Sequence, residues 1–114
     1  MGAMTSLHGL SRMAAAAAVF GAAAAFAQQD AAAGRGKAQA CMVCHGQLGL
    51  STLPDAPHLA GQPALYLVAQ LRAYRSGTRK HEVMSLIAQP LGDDDIQQLA
   101  AWYSSIRVQA TAPP

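Results

Sequence analysis

Two cysteines three positions apart with a histidine immediately after them, Cys41-Met42-Val43-Cys44-His45, constrain this chain more than any other feature. That spacing is the attachment signature of c-type haem. Each thiol adds across one haem vinyl group to form a thioether, and the next residue is then held under the iron, where its imidazole can bind axially. The same spacing also serves thiol redox pairs and half-sites for zinc. A redox pair belongs beside a βαβ pattern, and a zinc site needs a second Cys or His pair at ligand spacing; the chain offers neither. The reading is therefore one haem c, bound through Cys41 and Cys44, with His45 as the proximal iron ligand.

The first residues read as an export signal. Arg12 precedes an apolar run from Met13 to Phe26, followed by the small-residue pattern Ala25-Phe26-Ala27. Cleavage is expected between Ala27 and Gln28, making 1–27 a signal peptide. The run falls short of the roughly 20 apolar residues that span a bilayer, so the mature chain is not expected to cross a membrane. Both cysteines lie beyond the signal and both are consumed by haem, which fits a bacterial periplasmic protein. Residues 28–108 are expected to form one small domain, with 109–114 a disordered tail. A domain of that size buries a modest core, so the haem is also a structural element. The whole chain carries eight Lys and Arg against six Asp and Glu, a formal net charge of +2, and nothing in that balance points to nucleic acid.

The remaining pattern is helical, without convincing strand alternation. Residues 31–40 form an expected short helix into the haem motif, where Gly34 and Gly36 suggest close packing by another backbone. Residues 46–62, rich in Gly, Pro and Ser, read as a loop around one haem edge. A second helix starts at Pro63 and stops before Gly77, with Leu67, Leu71 and Tyr74 on one face. Residues 78–91 read as a second loop closed by Pro90. A last helix runs from Asp93, behind three aspartates that complement its dipole, to about Arg107. Ile96, Leu99, Ala100, Tyr103 and Ile106 form its buried stripe, widened by Trp102.

For the sixth iron position the residues leave three candidates: Met84, the single methionine after the motif, and the histidines His58 and His81. Arg72, Arg75 and Arg79, at i, i+3 and i+7, share a face if the second helix extends to its glycine stop, with Lys80 beside them. They form either a solvated surface or a patch that orients an acidic partner or meets a haem propionate.

Taken in order, Cys41-Met42-Val43-Cys44-His45-Gly46, Pro57-His58-Leu59-Ala60-Gly61-Gln62, Tyr66-Leu67-Val68-Ala69-Gln70-Leu71, Gly77-Thr78-Arg79, Met84 and Leu91-Gly92-Asp93-Asp94-Asp95-Ile96 through Leu99-Ala100-Ala101-Trp102-Tyr103 resemble the class I c-type cytochromes, within them the cytochrome c-553 and cytochrome c4-like monohaem group. The resemblance implies an all-α fold, with the N- and C-terminal helices crossing over covalently bound haem and Gly34 opposite Trp102. It implies Met84 as the distal ligand and Pro57 as the residue whose carbonyl accepts a hydrogen bond from His45. Gly92 stands where the family has a serine, which weakens the helix cap. The function implied is single-electron transfer through an exposed haem edge, not enzyme catalysis, with periplasmic or membrane-bound redox proteins such as a terminal oxidase or dehydrogenase as partners. The alternatives are a haem subunit of a periplasmic dehydrogenase or sulfur-oxidising complex, and a gas sensor in which Met84 yields its place.

Overall fold

The computed structural model describes residues 27–28 and 30–114; the expected signal peptide lies outside the described residues except for Ala27. The described chain is built from helices joined by turns and loops, and no strand occurs among the described residues. Helix α1 covers 30–37. Ala38 interrupts it for one residue and α2, Gln39–His45, follows directly. The break is slight: Ala38 donates to Gly34 O at 2.9 Å and its own carbonyl accepts from Cys41 N and Met42 N. The first helical region therefore continues through the cysteine motif and does not stop at residue 40.

Gly46 ends α2. Its backbone has φ 84°, its N–H donates to Met42 O, and a Cβ there would press on the Leu50 backbone. Only glycine meets both demands. The expected loop follows, then α3, Ala64–Ser76, entered at Pro63 and closed at Gly77.

The stretch 78–91 is not simply a loop: Glu82–Ala88 forms a helix, α4. Helix α5 runs Asp93–Ser105, ending two residues before the expected Arg107, with Ile106 already extended. The cap lost with Gly92 is partly replaced, because Asp95 Oδ2 accepts from Gly92 N at 2.9 Å.

The core lies between α3 and α5. Leu67 and Val68 pack against Ile96, Leu99, Ala100 and Tyr103, and Ala38 joins them fully buried. Ile106, on the expected stripe, is only partly buried against this cluster. Helix α1 crosses α5 at Gly34, whose Cα faces the Gln98 carbonyl and the Trp102 side chain. The guanidinium of Arg35 sits 5.7 Å over the Trp102 ring, and Lys37 pairs with Asp95 at 2.5 Å. Gly36 has open space around its Cα and is not a packing glycine. The loop before α3 is tied to α5 by Gly61 N donating to Tyr103 O at 2.9 Å.

Candidate haem-binding site

A cavity of about 610 Å³ opens between the helices. Cys41, Cys44 and His45 line it from α2, Pro57 and Leu59 from the loop, Leu67 and Leu71 from α3, Met84 and Ile87 from α4, and Leu99 and Tyr103 from α5. The α3 face of Leu67, Leu71 and Tyr74 therefore serves this cavity as well as the protein core.

His45 occupies the last turn of α2 and is buried. Its Nδ1 lies 2.8 Å from Pro57 O. A carbonyl only accepts, so Nδ1 carries the proton and Nε2 keeps its lone pair free for a metal. Cys41 and Cys44, one helical turn apart, are half-buried in the same wall. Burial pushes the Cys41 thiol above its ordinary pKa, against a smaller opposing pull from the Tyr103 hydroxyl. Burial likewise pushes the Tyr103 phenol upward, and the adjacent Cys41 adds to the shift.

The loop after α2 is braced by Ser51, which nothing in the sequence pattern marks. Its hydroxyl donates to Cys44 O at 2.8 Å and accepts from Leu53 N at 3.0 Å, while its backbone N–H donates to His58 Nδ1 at 2.8 Å. His58 is thus an exposed part of the same brace. His81 lies immediately before α4, with Nδ1 accepting from both Val83 N and Met84 N at 3.2 Å. Met84 itself is half-buried.

The residues fit a large flat apolar group with covalent and axial attachment. Two thiols at helical spacing and an imidazole with a free Nε2 stand in one wall, and the facing surface is leucine and isoleucine. In the cavity wall the Tyr103 hydroxyl is buried with the weakly accepting Cys41 sulfur beside it and no other hydrogen-bond partner. The permanent charges in the lining are few, Arg79 and Asp55. Arg79 is fixed at the rim by Gln70 Oε1 at 2.6 Å and lies 4.6 Å over the Tyr74 ring. This rim cluster joins residues from α3 and the following turn.

The three arginines do not make one free patch. Arg75 donates to Leu91 O at 2.8 Å and to Asp93 at 2.7 Å, Arg72 approaches the same Asp93 oxygen at 3.6 Å, and Arg79 turns toward the cavity. Two of the three are matched to an acidic residue that sequence spacing alone could not bring to them.

The family model described as Cytochrome c matches residues 31–107. Cytochrome c-554(548) of Halomonas halodenitrificans is 47% identical over 79 residues, covering 67% of this chain and 95% of the relative. The thiosulfate dehydrogenase electron acceptor of Stutzerimonas stutzeri is 40% identical over 74 residues, covering 62% of this chain and 34% of its own. Among solved structures, reduced cytochrome c4 from Pseudomonas stutzeri superposes with a TM-score of 0.64 at 38% identity, over 68% of this chain and 45% of that one. The chain thus spans nearly all of the first and less than half of the other two.

Proposed function

Because the chain belongs to the cytochrome c family, carries covalently bound haem c and is an electron carrier, not an enzyme, we propose that it works in the periplasm, holding one haem through Cys41 and Cys44 with His45 and Met84 as axial ligands. When bound, the haem supplies a one-electron couple between ferrous and ferric iron. The protein tunes that couple in three ways. A thioether from Met84 donates less charge than imidazole or thiolate and favours the ferrous state. The apolar wall penalises the extra positive charge of the ferric state. The Pro57 carbonyl fixes the ring of His45 and increases its basicity, a smaller effect in the opposite direction. Iron held by both His45 and Met84 would leave small ligands no open site, and electron passage to a partner would require little rearrangement.

The observation that carries this reading is His45, buried in the wall beside both cysteines, with Nδ1 on Pro57 O and Nε2 free. The test is the ferric spectrum of the haem-loaded protein. Wild type is expected to show the weak far-red band of iron–thioether bonding, and Met84→Ala to lose it. A wild-type spectrum without the band, or a variant that keeps it, refutes methionine ligation. Export is tested by sequencing the N-terminus of periplasmic protein, expected at Gln28. No helix among the described residues is long and apolar enough to cross a membrane.

One observation favours a dehydrogenase as the electron donor: a relative bears the name thiosulfate dehydrogenase electron acceptor. Purification as a free monomer supports a mobile carrier that meets such a donor transiently. Co-purification with a flavin, molybdenum or quinone subunit supports a permanent haem subunit.

A further inference from the structure

We propose that His81 is the positioning residue for Met84, acting as the cap that holds α4 closed over the cavity; this rests on the reading of Met84 as an iron ligand. An N-cap position normally falls to Ser, Thr, Asp or Asn, whose short side chains reach the free N–H groups of the first turn. Here an imidazole does it. His81 is extended, with φ −154° and ψ 135°, and its Nδ1 accepts from Val83 N and from Met84 N, the second and third residues of the helix. The contact is reciprocated: Ser85 Oγ accepts from His81 N and Ser85 N donates to His81 O, both at 3.0 Å. The ring also meets Tyr74 edge-on at a centroid distance of 6.4 Å, which fastens α4 to α3 in a way no serine could.

The cap matters because, apart from the cavity it lines, little of the protein secures α4. The helix has seven residues, too few to be stable alone. Ala88 is its one buried residue and Leu86 is exposed, while Val83 and Ile87 face the haem cavity. Opening of such a segment takes place locally, ahead of global unfolding. Since Met84 N is itself a capped donor, opening the cap releases the backbone of the ligand residue. Because Nδ1 accepts from two N–H donors, the neutral ring carries its proton on Nε2, and neither nitrogen offers iron a free lone pair while the cap holds, so His81 supports Met84 and does not compete with it.

The test is titration of the ferric, haem-loaded protein with free imidazole, which binds iron when Met84 leaves. His81→Phe keeps a ring against Tyr74 without the acceptor, and His81→Asn keeps an acceptor without the ring. Losing the acceptor should raise imidazole affinity about fivefold in His81→Phe, whereas His81→Asn should stay near wild type. Met84→Ala should bind imidazole far more tightly than any of these. If Met84→Ala binds tightly but His81→Phe matches wild type, the positioning role is wrong. A gain in both His81 variants also overturns it, because asparagine retains the cap. If Met84→Ala matches wild type, the ligand reading beneath it has failed instead.

Discussion

Replacing Gly34 with alanine tests the helix crossing on which the fold depends. An added Cβ would fall against the Gln98 carbonyl, 2.5 Å from its carbon, and 2.9 Å from Trp102 Cβ. The carbonyl belongs to the α5 backbone and cannot swing aside. Restoring ordinary contact therefore requires α1 and α5 to separate by about 1 Å, which forfeits up to half of the dispersion energy along their seam. Overpacking of this kind costs about 1–3 kcal/mol, sometimes more, and an obstacle made of backbone belongs at the upper end. Alanine returns about 1 kcal/mol through its better helix propensity. The expected net loss is about 2 kcal/mol, a drop of roughly 10 °C in a domain of this size. Gly36 provides the control, since a Cβ there meets nothing within 4 Å. Gly36→Ala should gain about 0.5–1 kcal/mol. The assay is thermal and urea unfolding of the haem-loaded proteins followed by far-UV circular dichroism. Shifts of the same sign in the two variants would refute the argument. So would rescue of Gly34→Ala by Trp102→Ala, because the carbonyl and not the indole is the main obstacle.

Three further outcomes follow from the geometry. Arg75→Ala should lose about 1–2 kcal/mol in urea unfolding through its bond to the Leu91 carbonyl, while Arg72→Ala should stay within about 0.5 kcal/mol of wild type. Arg75 beside Asp93 and Lys37 beside Asp95 hold both carboxyls below their ordinary value of 3.8. Folded-state values below the unfolded ones mean that these pairs stabilise above that pH and lose their contribution as pH falls through the lower values. Urea midpoints should fall from about pH 4 downward, less steeply in Asp93→Asn and in high salt. Pro57→Gly should loosen the carbonyl that accepts from His45 Nδ1 and raise the haem potential in spectroelectrochemistry; an unchanged or lower potential counts against a tuning role for this bond.

The parts legible in the sequence are those where one local interaction dominates. Pro63 and Gly77 bound α3, the three aspartates open α5, and the buried stripe of α5 follows its period. Gly34 was readable as a packing glycine, but its neighbour Gly36 carries the same propensity signal without any packing role, and only the position of α5 separates the two. The arginine row lies at the surface but does not form one free patch, for the same reason. The i, i+3, i+7 spacing lets the three share a face only on a continuous helix, but α3 ends at Ser76, short of Arg79, and Asp93 and the Leu91 carbonyl arrive from a different part of the chain.

Helix α4 was missed because its signals are weak at both ends. It is short, it starts on a residue outside the usual capping set, and Gly77 and Pro90 on either side read as loop. The consequence reaches beyond the secondary structure. A methionine on a mobile loop would reach iron through the flexibility of its own side chain, and its departure would involve only that loop. On α4 its backbone N–H is part of a cap, the cap residue touches α3, and α3 shares the core with α5. Loss of Met84 from iron is then coupled to opening a defined structural unit, so the strength of axial ligation becomes a property of the fold and is set partly by residues that never approach the metal. This coupling can be measured: Ser85→Ala, which removes the oxygen that accepts from His81 N on the far side of the cap, should increase imidazole affinity in the ferric protein without altering the cysteine linkages or the His45–Pro57 hydrogen bond.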